Sequence, residues 1–276
     1  MSKGLVSNLC RLVGMSRQNY YARRRDRQRE SVDTELVIEW VKQERRMQPR
    51  LGTRKLHRMF CAQGDEHCVE IGRDRFFECL RKNGLLLERL PSHPKTTHSR
   101  HSLPVFHNLV ADLAPTAPNQ AWASDLTYIR TDEGFLYAAL ITDMFSRKIV
   151  GSFLGDNLEA EGCLAALQSA LRELPAGARP IHHSDRGCQY CCHLYVERLQ
   201  AAGLGISMTE TLHCYENALA ERVNGILKQE YGLGVCFRTK AQARLAFGQA
   251  VWLYNTRRPH LALGYRTPAS VHEAAA

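Results

Sequence analysis

Apolar residues recur at helical spacing through the first ninety positions. Leu36, Val37, Trp40 and Val41 fall on one side of a helix, as do Leu56, Met59 and Phe60, and then Phe76, Phe77 and Leu80. Ahead of them, LVSNLCRLVGMSRQNYYA (residues 5–22) predicts an apolar turn of helix, a break at Gly14-Met15-Ser16 with Ser16 as N-cap, and a second helix carrying Tyr20 and Tyr21, the order of a helix-turn-helix. RLGTRKLHRMFCAQG and IGRDRFFECLRKNGLL each close near a glycine suited to a helix C-terminus, and each sets Arg or Lys opposite its apolar stripe. The periodicity then fails over residues 91–118, which are rich in Pro, Ser, Thr and His and predict a linker.

From Ala121 the pattern alternates. WASDLTYIRT, FLYAALITDMF and RKIVGSFLG predict three antiparallel strands joined by turns at Asp132-Glu133-Gly134 and Phe145-Ser146-Arg147. A helix (158–174), a short strand (180–183), a helix (193–202), a strand (205–209) and a long helix (216–231) follow, which is an α/β layered domain. Residues 239–256 predict one more amphipathic helix, carrying Leu245, Trp252 and Leu253. The resulting segments are 1–30, a short helix-turn-helix with an Arg-rich stretch; 31–90, a helical DNA-binding region; 91–118, a linker; 119–235, an α/β core; and 236–276, a C-terminal helix and tail.

Charge sharpens this division. The 276 residues carry a formal charge of +9, yet residues 1–100 hold 22 Lys and Arg against 12 Asp and Glu, and the rest hold 15 against 16. An excess confined to the first third, with five Arg in RRRDRQRE (23–30), points to an acidic partner. The first twenty residues are broken by Asn8, Arg11 and Arg17, so no signal peptide is expected, and the longest apolar run, Phe135 to Ile141, is far short of the ~20 residues of a membrane helix. The expectation is a cytoplasmic protein with no membrane attachment.

Ten cysteines without a secretory signal read as thiols before disulfides. Cys188 and Cys191 form a CxxC near Cys192, His182, His183 and His193, but no second ligand pair of similar spacing accompanies them, as a structural zinc site requires. Cys61, Cys68 and Cys79 fit no finger, and His93, His98, His101 and His107 belong to a hydrated linker.

Three carboxylates stand out. Asp125 interrupts an apolar strand, where a charge is costly unless paired or metal-bound. Asp185 lies just past the end of a later strand in HHSDRGCQY, where sites of α/β sheets gather. Glu221, in ENALAERVNGILKQEY, shares a helix face with Asn217, opposite Ala218, Leu219 and Val223. Thirty-five residues separate Asp185 from Glu221.

NQAWASDLTYI, LITDMFSRKIVG, HHSDRGCQY, ENALAERVNGILKQE and YNTRRPHLALGYRTPAS, in this order and spacing, resemble the DDE transposases of bacterial insertion sequences, specifically the second-reading-frame product of the insertion-sequence-three family. The resemblance spans about residues 10–270 and includes TRKLHRMF and IGRDRFFECLRKNGLL as a helix-turn-helix-like segment. It implies an RNase H-like integrase core, a mixed five-stranded sheet with flanking helices, behind an all-α N-terminal region. It implies that Asp125, Asp185 and Glu221 are the catalytic triad; three carboxylates suit two Mg²⁺ ions, with Mn²⁺ as substitute, and the expected arrangement has Asp125 bridging both while Asp185 and Glu221 each hold one. Such ions, roughly 3.5–4 Å apart, activate the attacking oxygen and stabilise the leaving one. The expected course is that water would expose a 3′-hydroxyl at an element end, and that this hydroxyl would attack a second phosphodiester.

Glu216 is a rival third ligand; Glu221 is preferred because it matches the motif's AxxE position and Glu216 falls at a helix start, where an acid favours the dipole. Asp143, Asp132, Glu133 and Asp156 are expected to be structural. Arg54, Lys55, Arg73, Arg75, Lys228, Arg257 and Arg258 are the candidate DNA contacts. Implied partners are double-stranded DNA, at element ends and target, further copies of the chain on DNA, and an upstream-reading-frame partner or fusion, with the protein associated with the nucleoid. The readings set against this are a catalytically silent, domesticated DNA-binding protein and a structure-selective nuclease of RNA–DNA hybrids.

Overall fold

The computed structural model describes residues 10, 15–63, 71–88, 103–210 and 216–275. The first helix expected in 5–22, Gly64, Cys68 and linker residues His93, His98 and His101 lie outside them. The chain divides into two units, Met1–Met47 with Leu51–Glu88, and Gln48–Arg50 with Arg89–Ala276.

The first unit holds helices α1 (Arg17–Met47), α2 (Thr53–Ala62) and α3 (Arg73–Lys82). Ser16 Oγ accepts from the Asn19 amide at 3.1 Å, the expected N-cap contact. The sequence pattern breaks near residue 30, but α1 runs through it: the Arg-rich stretch has no Gly or Pro to stop a helix, so it continues into the Val37/Val41 stripe. Val37, Val41, Leu56, Phe60, Phe76 and Leu80 form the core, with Trp40 edge-on to Phe60 at 5.3 Å. Gly84, at φ +65, turns the chain after α3 as the sequence indicates.

The second unit is a five-stranded mixed sheet in the order β3-β2-β1-β4-β5. Strands β1 (Ala121–Thr131), β2 (Gly134–Asp143) and β3 (Ile149–Gly155) are antiparallel neighbours, while β4 (Ile181–Ser184) and β5 (Gly205–Met208) run parallel to β1. The helices are α4 (Ala160–Glu173), α5 (Cys188–Cys191), α6 (His193–Ala201), α7 (Ala218–Glu230), α8 (Lys240–Thr256) and α9 (Pro268–Ala274). The period-two alternation of β2 separates two cores. Ala139 and Ile141 pack with Trp122 under α4 and α6, whereas Leu136, Ala138 and Leu140 pack with Val223, Ile226 and Leu227 of α7 and Phe247 and Tyr254 of α8.

One reading of the pattern is corrected. Leu245 and Trp252 of α8 are 67% and 60% exposed, and the buried face is Ala243, Phe247, Ala250 and Tyr254. The two alanines let the helix lie close to its neighbours, so burial follows fit rather than side-chain hydrophobicity. On the opposite layer, α4 crosses β3 at Gly151, where a Cβ would stand 2.4 Å from the Ala166 carbonyl oxygen.

Candidate active site

The parallel register pairs Ala121 with Ile181 through Ser124 with Ser184, so Asp125 continues β1 at the point where Asp185 follows the end of β4. Neighbouring strands lie ~4.8 Å apart. Asp125 itself is on the face covered by α7, since it pairs with Leu140 on the side of the second core. At the N-terminus of α7, Asn217 Nδ2 donates to the Ser124 carbonyl at 2.9 Å and clamps the helix to β1. One turn on stands Glu221, and one turn further Asn224, whose Nδ2 donates to Asp125 Oδ2 at 2.8 Å. Asn217 Oδ1, Asn224 Oδ1 and His183 Nε2 are buried without a protein partner among the described residues.

Burial pushes the Asp125 carboxyl up to about 7, and the negative charges of Asp185 and Glu221 add to the rise; the bonds from Asn224 and from the Leu126 amide oppose it. Asp185 sits in a turn whose Gly187 amide donates to its Oδ1 at 3.0 Å, and a Cβ on Gly187 would meet that oxygen at 3.0 Å. The strand that presents Asp185 is pinned by its own histidines. His182 Nε2 meets Ser124 Oγ at 2.7 Å and Tyr195 Oη at 2.9 Å, and His183 Nδ1 meets Ser207 Oγ at 2.9 Å. Burial lowers His182 to about 3, so its ring stays neutral.

Glu216 spends its carboxylate elsewhere, accepting from Asn108 Nδ2 at 3.1 Å and from the Glu210 amide. Asp143, fully buried, accepts from the amides of Asn119 and Ser146 and from Ser146 Oγ, each at 2.7 Å, a turn-holding role. Asp156 pairs with Lys240 and Arg244, and Glu133 caps the Lys240 amide at 2.7 Å. Cys191 packs in the core with Sγ 3.7 Å from Met208 Sδ, its thiol pushed by burial up to about 11, and Cys188 is exposed.

Among the candidate DNA contacts, Arg54, Arg73 and Arg75 are exposed and Lys55 and Arg257 half-buried. Lys228 lies over the Tyr128 ring, 4.3 Å from its centroid; burial lowers its pKa and Asp125 opposes that. Arg258 differs from the others: its side chain is only 3% exposed and forks onto Glu230 through two bonds of 2.8 Å, a packing contact rather than an open surface position. Sequence reasoning missed Asn224 and Tyr128. Asn224 had a signal, an amide three residues after Glu221 among the buried Val223, Ile226 and Leu227.

Among the described residues no group of three His, Cys, Asp or Glu is drawn together closely enough to hold a metal ion. The donors nonetheless fit magnesium in kind: hard carboxylate oxygens whose mutual repulsion at Asp125 a divalent cation relieves.

A mixed five-stranded sheet with helices on both faces, behind an N-terminal helical region, defines an integrase-type core of the polynucleotidyl transferase superfamily. Residues 115–214 and residues 202–268 match two family models, each described as an integrase core domain. The uncharacterized 31 kDa protein of insertion element IS600 from Shigella sonnei is 35% identical over 269 residues, spanning 96% of this chain and 97% of that protein. The transposase InsF of insertion sequence IS3A from Escherichia coli is 31% identical, over 95% of this chain and 92% of that one. Among solved structures, the HTLV-2 integrase catalytic core domain in complex with magnesium is 19% identical with a TM-score of 0.47, covering 58% of this chain and 99% of that one. The chain belongs to the integrase-core transposases of bacterial insertion sequences.

Proposed function

We propose that the protein is a DNA transposase of the DDE type, with Asp125, Asp185 and Glu221 as its catalytic, metal-binding carboxylates. The observation that carries this is the electrostatic coupling of all three: Asp125, on the sheet face under α7, is raised by both Asp185 and Glu221. Bound at these oxygens, Mg²⁺, or Mn²⁺ in its place, would supply two-ion activation of an attacking oxygen and stabilisation of a leaving one. The side chains do the rest of the positioning. Asn224 holds one oxygen of Asp125, the Gly187 amide holds one of Asp185, and Asn217 fixes the start of α7 and hence Glu221 above the strands. Lys228, beside Asp125 and parked on Tyr128, is the cation to meet the phosphate next to the scissile bond.

In this reading residues 31–90 grip the DNA through Arg54, Lys55, Arg73 and Arg75, residues 119–235 cut and join, and Arg257 contacts DNA from the tail. The working form is an assembly of copies on element ends and target DNA, with an upstream-frame partner or fusion supplying further end binding, in the bacterial cytoplasm at the nucleoid. Among the described residues no helix is long and apolar enough to cross a membrane. The test is strand transfer by the purified full chain with Mg²⁺. Asp125→Asn should abolish it and leave DNA binding intact; full activity in that variant would refute the assignment.

A further inference from the structure

At the end of the sheet where β1 begins, the second unit carries a cleft of about 700 Å³. Its apolar wall includes Leu113, Pro115, Met144, Phe145, Leu263 and Val271, and its charged lining is Arg147 and Arg266, with no carboxylate. Met144 closes this end by donating its amide to the Ala121 carbonyl at 2.9 Å, four residues before Asp125, or about 13 Å along a strand.

Arg147 is out of place as a merely structural residue. It sits at φ +65, the left-handed region that glycine and asparagine occupy with least strain. It is half-buried, and among the described residues its guanidinium has no hydrogen-bond or ion-pair partner. Tyr254 and then Asp143 exert an electrostatic pull on it, but neither bonds to it, and Asp143 has its oxygens committed to Asn119 and Ser146. The adjacent Lys148, by contrast, reaches Glu173 at 3.4 Å. Across the cleft, Arg266 is exposed, and among the described residues its side chain makes one long 3.4 Å bond, to the Leu263 carbonyl, on a rim bent by left-handed Gly264 and Tyr265. Two guanidinium forks over an apolar wall suit a phosphate attached to a sugar, since planar, weakly hydrated Arg binds phosphate through paired N–H donors.

We propose that this cleft is a second DNA-contact site, in which Arg147 and Arg266 grip one backbone phosphate while the wall meets its deoxyribose. It rests on the reading that the chain acts on DNA, and it is separate from the carboxylate centre. Equilibrium binding of the full chain to a fluorescent duplex, in EDTA and across a KCl series, tests it. Arg147→Gly, which suits the left-handed backbone, combined with Arg266→Gln should flatten the log–log salt dependence by about 0.9, the value for one neutralised phosphate. The fall in affinity should be similar for duplexes of different sequence. Arg266→Gln alone, at an exposed position, should move in the same direction even if the Arg147 change lowers the unfolding midpoint. A slope and affinity equal to the parent in the double variant and in Arg266→Gln overturn the proposal; a cleft that served an acidic protein segment would give that result. The carboxylate assignment is read in strand transfer with Mg²⁺ and the cleft in the salt slope of binding in EDTA, so failure of the one and failure of the other register in different measurements.

Discussion

Burial and two neighbouring acids keep a proton on Asp125 up to about pH 7, against an ordinary value of 3.8. A carboxyl raised in the folded state contributes stability that is fully present below 3.8 and is lost as pH rises through about 7, because ionisation then opposes folding. In EDTA the protein should therefore lose stability between pH 4 and 7, and Asp125→Asn should raise the melting temperature above pH 7 while removing activity; thermal melts across pH check the sign. Gly187→Ala tests the neighbouring carboxylate: a Cβ 3.0 Å from Asp185 Oδ1 displaces it with little change in backbone preference. A misplacement of that kind can cost up to ~100-fold in rate, so strand transfer should fall steeply with the melting temperature nearly unchanged. The carboxylates were legible in the sequence because each breaks a local pattern, Asp125 inside an apolar strand and Asp185 beyond a strand end. Asn224 was harder to see, since its bond to Asp125 depends on how α7 is rotated against β1.

At the scale of elements, β1 to β3 followed from alternation and from turn residues such as Gly134, at φ +106. The face of α8 did not, because Ala243 and Ala250 are buried by close approach while the larger Leu245 and Trp252 face solvent. The same closeness holds α4 on β3. Gly151→Ala places a methyl 2.4 Å from a backbone oxygen that cannot move independently, so overpacking should cost about 1–3 kcal/mol in denaturant unfolding. Arg258 ties the segment after α8 to Glu230 at the end of α7. Arg258→Ala removes the two-bond fork onto Glu230 and the packing of a side chain that is 3% exposed, and should lower the midpoint of denaturant unfolding. Its DNA affinity should match the parent below the melting point, which separates packing from phosphate binding.

For the whole molecule, the charge division gives a working arrangement. The basic excess lies in the first hundred residues, and in the near-neutral remainder Asp185 and Glu221 act electrostatically on Asp125. Changing Arg54, Lys55, Arg73 and Arg75 to Gln should flatten the salt dependence of DNA binding by about 0.9 for each phosphate no longer neutralised. The central claim is that three carboxylates, and not the neighbouring Glu216, run the chemistry. It is tested most directly by strand transfer with Mg²⁺ by Asp125→Asn, Asp185→Asn, Glu221→Gln and Glu216→Gln, each checked for DNA binding. The account predicts no product from the first three and retained activity in Glu216→Gln; an active Glu221→Gln beside an inactive, folded Glu216→Gln would contradict it.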